Sequence, residues 1–181
     1  MGDDRPPELA TFGPIVDPFV RELVDRAQIE HIVLHWSHEV DLLRPARAVE
    51  FFTEDCVVDY GPRAPMGVLQ GRSAYVAMME EAQSTAAVTE ESTITARAAY
   101  CSHHVSQVSV LFLSADSAAS SASCFSLVGE PGGGHHVTFG VFQDSFVRTA
   151  DGWRITARTQ RPLGRASVGG TSSTADARGP A

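Results

Sequence analysis

The stretch from Tyr100 to Leu113, Y-C-S-H-H-V-S-Q-V-S-V-L-F-L, is a long β-branched and apolar run with two adjacent histidines near its start. Such a run reads as a strand, and strand side chains alternate between two faces. With the even positions turned inward, one face carries His104, Ser106, Val108, Val110 and Phe112, a polar mouth above an apolar floor. That is the wall of a pocket. Two histidines that merely cap the end of a sheet would give the same pattern, so the run must be weighed with the rest of the chain.

Length and charge narrow the choices. The 181 residues, 43% of them hydrophobic, suit one domain with a sizeable core. The net charge is −8, all 14 basic residues are arginine, and they form no basic run or aromatic-interleaved patch, which argues against a nucleic-acid partner. The lack of lysine excludes Schiff-base chemistry. Cys56, Cys101 and Cys124 are odd in number and widely spaced, so they offer neither a disulfide framework nor a zinc pattern. No apolar run approaches membrane-spanning length and the N-terminus lacks a signal-peptide pattern, so a soluble cytoplasmic protein is expected.

In chain order, residues 1–17 are Pro-rich and acidic and read as a flexible arm. Asp17-Pro18 is an N-cap followed by proline at the first helical position, and Asp25 with Gln28 gives a second start signal. The helical period then places Ile29, Ile32, Val33, Trp36 and Val40 on one apolar face. His31, His35 and His38 lie opposite, with spacings that could hold a metal, but no further ligand is expected there. We read the stripe as a solvated or subunit-contacting face and expect no metal site. Asp41 stands near the helix C-terminus, where a carboxylate opposes the macrodipole at a cost of about 0.3–1 kcal/mol. A locally unfavourable residue is a reason to suspect function.

Ala46 to Phe52 reads as a second short helix, Cys56 to Gly61 as a short strand, and Ser73 to Gln83 as a third helix. The Thr-rich stretch from Ser84 to Ala99 has no clear period. Ala118 to Val128 is a strand of alternating Ala and Ser, which either leaves volume for a ligand or is crowded by a helix. Gly129-Glu130-Pro131-Gly132 and the glycines after it form a hairpin loop too irregular for phosphate binding. Two more strands follow, His136 to Thr149 and Trp153 to Arg161. The Gly- and Ser-rich residues 164–181 are expected to be disordered. Helices first and then a meander signal an α+β domain over residues 18–163, with helices on one side of a curved sheet.

The ordered set I-V-L-H-W-S-H-E-V-D, F-F-T-E-D-C-V-V-D-Y, L-Q-G-R-S-A-Y, S-H-H-V-S-Q-V-S-V and V-F-Q-D-S-F-V-R-T-A-D-G-W-R-I-T-A-R covers about residues 22–162. It resembles the SnoaL-like branch of the nuclear transport factor 2-like superfamily. The resemblance implies a cystatin-like fold, in which a curved antiparallel or mixed sheet forms a cone closed by about three N-terminal helices around a pocket. Within that superfamily the chain looks most like the cofactor-free lyases: scytalone dehydratase, bile acid 7α-dehydratase and hexachlorocyclohexane dehydrochlorinase. Their catalytic aspartate and histidine match Asp41 and His104 here. Their substrate-binding positions match Trp36, Tyr60 and Arg158, and Gln143 stands where an asparagine is found. A second catalytic histidine of scytalone dehydratase has no equivalent at Gly129-Glu130, and Trp36 replaces the dehydrochlorinase's helix lysine.

The expected chemistry is proton transfer next to a carbonyl, with His104 as general base and Asp41 holding its tautomer and stabilising the imidazolium. The expected site is a hydrophobic cavity walled by Trp36, Tyr60, Val108, Phe125 and Arg158. The reading is a cofactor-free, dehydratase-like lyase acting on a small hydrophobic substrate, aromatic or polycyclic, in a homo-oligomer, dimer or trimer. The alternatives are an isomerase or polyketide cyclase using the same pocket, and a non-catalytic ligand-binding or assembly module in which Asp41 and His104 are only a buried polar pair.

Overall fold

The structure is a computed structural model that describes residues 17–62, 64–86, 101–129 and 135–168. The expected N-terminal arm, apart from Asp17, most of the Thr-rich stretch after the third helix, most of the glycine loop and the end of the tail lie outside the described residues.

The first helix, α1 (Pro18–Asp41), is started by Asp17, whose Oδ1 accepts the amides of Phe19 at 2.8 Å and Val20 at 3.2 Å. Its predicted apolar stripe is its buried face: Ile29, Ile32, Val33 and Trp36 are all within the core. Asp25 does not start a helix. It sits buried within α1 and takes three hydrogen bonds from the sheet: Arg148 Nη1 at 2.8 Å, Arg148 Nη2 at 2.5 Å and Trp153 Nε1 at 3.1 Å. Next come α2 (Pro45–Ala48) with a 3₁₀ turn (Val49–Phe51), β1 (Phe52–Asp59), β2 (Val68–Gln70) and α3 (Arg72–Ala86). The long strands β3 (Cys101–Phe112), β4 (Ser117–Gly129), β5 (His135–Thr149) and β6 (Gly152–Val168) complete the described elements.

The six strands form one mixed, curved and unclosed sheet in the order β2-β1-β6-β5-β4-β3. Among the described strands, only the neighbours β1 and β6 run parallel. The α+β class and the three helices agree with the sequence. The last strand is longer than expected: residues 164–168 pair with β5, Gly164 opposite Phe139 and Val168 opposite His135, rather than belonging to a tail.

Register shifts interrupt the ladders between Phe52 and Val57, Ser106 and Ser109, Phe139 and Gly140, and Ser145 and Phe146. Each extra residue bends its strand and adds twist, which is how a long antiparallel sheet acquires curvature. Gly140 marks one such bend, because a Cβ there would lie 2.8 Å from the carbonyl oxygen of Arg161. Gly140→Ala is therefore expected to destabilise the fold by about 1–3 kcal/mol, since the obstacle is backbone. A denaturation midpoint equal to that of the native protein would show that the bend gives way.

The Asp25 cluster ties α1 to the far end of the sheet, with the Arg148 guanidinium also stacked 4.4 Å from the Trp153 ring centroid. Burial pushes the Asp25 carboxyl up, but the hydrogen bonds from Arg148 and Trp153 and the charge of Arg148 outweigh it and hold its pKa below the usual value. A carboxyl with a depressed folded-state pKa contributes stability that is present above the unfolded value, about 3.9, and lost as pH falls through the folded one. Asp25→Asn is expected to cost about 2–3 kcal/mol at neutral pH. Unfolding curves of native and variant protein should converge only below about pH 4. A gap that closes already near neutrality would exclude this carboxylate as its source.

Candidate active site

Asp41 is the last residue of α1, and its side chain leaves the helix end toward β3. One carboxylate oxygen accepts the backbone N–H of His103 at 2.8 Å; the other lies 2.6 Å from His103 Nδ1. One carboxylate thus grips both the main chain and the ring of a single histidine. The carboxylate that was unfavourable for the helix finds two donors across the fold. With Nδ1–H donating to Asp41, the tautomer is set and Nε2 is the basic nitrogen. The pair is shielded but reachable, with side-chain exposures of 23% for Asp41 and 12% for His103.

The expected partner, His104, points the other way. Its ring is exposed and stacked on Phe125, its cross-strand partner, with centroids 4.4 Å apart and planes 7° from parallel. The cause is a β-bulge. Ser106 pairs with Ser123 and Ser109 with Ser121, so β3 advances three residues while β4 advances two. Gln107, with φ of 53°, is the extra residue. Even positions face inward after the bulge, as Val108, Val110 and Phe112 do, but odd positions face inward before it, as His103 and Val105 do. A single alternation carried through the whole run therefore selects the wrong histidine. A signal was present: ahead of Gln107, Ser102, His104 and Ser106 are polar throughout, while Val105 shares its parity with His103.

The other expected residues do not share one cavity. Trp36 and Arg158 are buried, 4% and 1% exposed, and touch each other, with the guanidinium 4.1 Å from the indole centroid. Tyr60 and Val108 pack against the core. Phe125 and Gln143 lie on the outward face, because the inward positions of their strands are Cys124 and Ser126, and Phe142 and Asp144. On β4 the buried small residues include Ala118, Ser120, Ala122 and Ser126, whereas Ser121 is exposed.

Two residues at this centre went unnoticed in the sequence. Asp144 accepts from Arg158 Nε at 2.7 Å and Nη2 at 2.8 Å, both side chains essentially unexposed. Burial opposes the charge on Arg158, but the Asp144 carboxylate prevails and raises its pKa. The alternation Phe142, Asp144, Phe146 did place an acid on an apolar face, where it requires a buried cation. Tyr75, fully buried on α3, neighbours Tyr60, Trp36 and Arg158; burial pushes its hydroxyl pKa well up, with Tyr60 adding to the effect. Burial likewise raises that of Tyr60. Trp36 Nε1, Tyr75 Oη and Arg158 Nη1 are buried without a hydrogen-bond partner among the described residues. The Trp36 ring also meets His103 edge-on at 5.8 Å between centroids, so it joins the polar core cluster to the His–Asp pair.

A cavity of about 470 Å³ opens between α1 and the edge strand β3, within the range of small-molecule sites. Asp41 and His103 lie on its wall with Leu34, Ser37 and Val105, and the His104–Phe125 stack forms its rim. On the outer side of α1, the rings of His31 and His35 lie 3.8 Å apart.

A model of the SnoaL-like domain matches residues 21–159. This chain belongs to the SnoaL-like family. Its solved neighbours include a candidate scytalone dehydratase from Novosphingobium aromaticivorans, with 21% identity and a TM-score of 0.67 over 84% of this chain and 93% of that one. Hexachlorocyclohexane dehydrochlorinase type 3 from Novosphingobium barchaimii gives 15%, 0.69, 84% and 95% on the same measures. A nuclear transport factor 2-like protein with a cystatin-like fold, also from N. aromaticivorans, gives 22%, 0.63, 83% and 92%. A search of curated protein sequences found no match. These likenesses show a shared fold. Among the described residues no helix is long and apolar enough to cross a membrane.

Proposed function

We propose that this SnoaL-like protein is a cofactor-free lyase of the dehydratase type, with His103 in the role first given to His104. The observation that carries the reading is the grip of both Asp41 oxygens on the amide and Nδ1 of His103, which fixes the ring and its tautomer. In a β-hydroxy carbonyl substrate, His103 Nε2 takes the proton from the carbon next to the carbonyl. The C–H electron pair forms the new double bond as the C–O bond breaks, and the imidazolium returns its proton to the departing hydroxyl, releasing water. Asp41 stabilises the imidazolium between the two transfers.

The substrate is a small hydrophobic molecule, aromatic or polycyclic, held in the cavity between α1 and β3. Trp36, Tyr60, Tyr75 and Arg158 lie off the wall of that cavity and pack in the core beside it, Trp36 edge-on to the His103 ring. Phe125 and Phe139, paired across β4 and β5 and 41% and 48% exposed, favour burial against a second copy, so we propose a homo-oligomer. The test is incubation with hydroxylated aromatic and steroid-like ketones, followed by absorbance and product mass. Loss of the mass of water supports the lyase, an unchanged mass with a shifted double bond supports an isomerase, and binding without turnover across the panel would favour a ligand-binding module.

A further inference from the structure

The tandem histidines give β3 two ways to present an imidazole to Asp41, and the bulge chooses between them. In the observed register Ser106 pairs with Ser123 and Gln107 is left over. Were Gln107 to join the ladder opposite Ser123, the first half of the strand would slip by one residue. His104 would then stand opposite Ser126, where His103 now stands, and every side chain from 102 to 106 would change face. Such a slip is open to this strand because, among the described strands, β3 is the sheet edge and is held in the ladder by β4 alone.

Two features weigh the registers against each other. The bulge requires φ of 53° at Gln107, a left-handed conformation that disfavours side chains other than Gly, Asn and Asp. In return it turns Val105 into the core and leaves Ser106 exposed, whereas the slipped register would bury Ser106 and expose Val105. The bulge is pinned by its own side chain, the Ser123 hydroxyl donating to Gln107 Oε1 at 2.9 Å. We infer that Gln107 is a positioning residue: its bulge, opposed by backbone strain and favoured by burial of Val105, decides which of two adjacent histidines meets Asp41. His104 is a stand-in held out of the site by register alone. Bulges beside active sites commonly re-aim a side chain.

The inference deepens the reading of His103 as the base, but its first test needs no substrate. In full-length protein with ¹⁵N-labelled histidine, the Nδ1–H donated to Asp41 gives one exchange-protected imidazole resonance. It should vanish in His103→Gln and in Asp41→Asn and survive in His104→Gln. The triple variant Val105→Ser, Ser106→Val, Gln107→Val reverses the burial preference and penalises the left-handed residue. In that background the resonance should survive His103→Gln and vanish in His104→Gln. Dependence that stays on His103 overturns the proposal.

Deleting Gln107 is the complementary variant, because it removes the extra residue while leaving every ladder partner in place. It should fold, keep the resonance on His103 and be no less stable than the native chain. A deletion that unfolds the protein, or moves the resonance to His104, overturns the proposal even if the triple variant fails to fold. If turnover is found, its loss of about 10²–10⁴-fold should follow the same histidine as the resonance. A resonance that switches without activity on any substrate would leave the positioning role intact and remove the lyase reading.

Discussion

His103→Gln is expected to lower turnover by about 10²–10⁴-fold, the range for removing a general acid–base group, with little effect on folding. Glutamine keeps a polar side chain of similar reach and leaves the backbone N–H of His103 free to bond Asp41, so the strand stays docked to α1. His104→Gln should leave turnover within a few-fold of native, because that ring stacks on Phe125 outside the pair. Asp41→Asn falls between the two: the amide still accepts the backbone N–H, but it can offer the ring no charge for the imidazolium. The limb of the pH–rate profile that reports the titrating base should be absent from His103→Gln. Full activity in His103→Gln would exclude both the lyase and the isomerase readings, since each needs this proton transfer.

Arg158→Met has the largest expected effect on stability, a loss of about 3–5 kcal/mol, because it strands the Asp144 carboxylate in the core with no cation. For a chain of this length that corresponds to a fall in Tm of roughly 6–20 °C. The guanidinium is also packed 4.1 Å from the centroid of Trp36 and 4.7 Å from that of Phe142, so the variant loosens the rings behind His103 as well. Asp144→Leu alone should be comparably damaging, leaving the arginine unpaired. The double variant Arg158→Met, Asp144→Leu should recover most of the loss, since a buried ion pair replaced by apolar groups of similar volume is often near neutral. The measurement is a double-mutant cycle by urea denaturation. Additive losses would mean that the two side chains do not act as a pair.

Local signals were enough to read most elements of this domain, although the short strand β2 went unread. Asp17-Pro18 marked the start of α1, and the 3.6-residue period selected Ile29, Ile32, Val33 and Trp36 for the core. Those features depend on backbone propensity and side-chain period within a few residues, which a sequence carries directly. Asp41 was legible for a related reason, because a carboxylate at a helix C-terminus is a local conflict that needs a distant partner.

Which partner it finds is a different kind of fact. His103 and His104 are chemically identical neighbours, and the choice between them depends on whether Gln107 enters the ladder, a matter of burying Val105 against another part of the chain. The same holds for Arg158, whose expected place on a cavity wall gave way to a buried pair with Asp144 once β5 and β6 were in register. It holds for residues 164–168, which are poor in apolar content but are held in β6 by main-chain pairing with β5. The sequence by itself determined most of the elements, the apolar face of α1 and the presence of an acid in search of a base. Only the tertiary structure decided strand register, and register alone assigns each side chain to the core or to solvent, since a shift of one residue reverses every face.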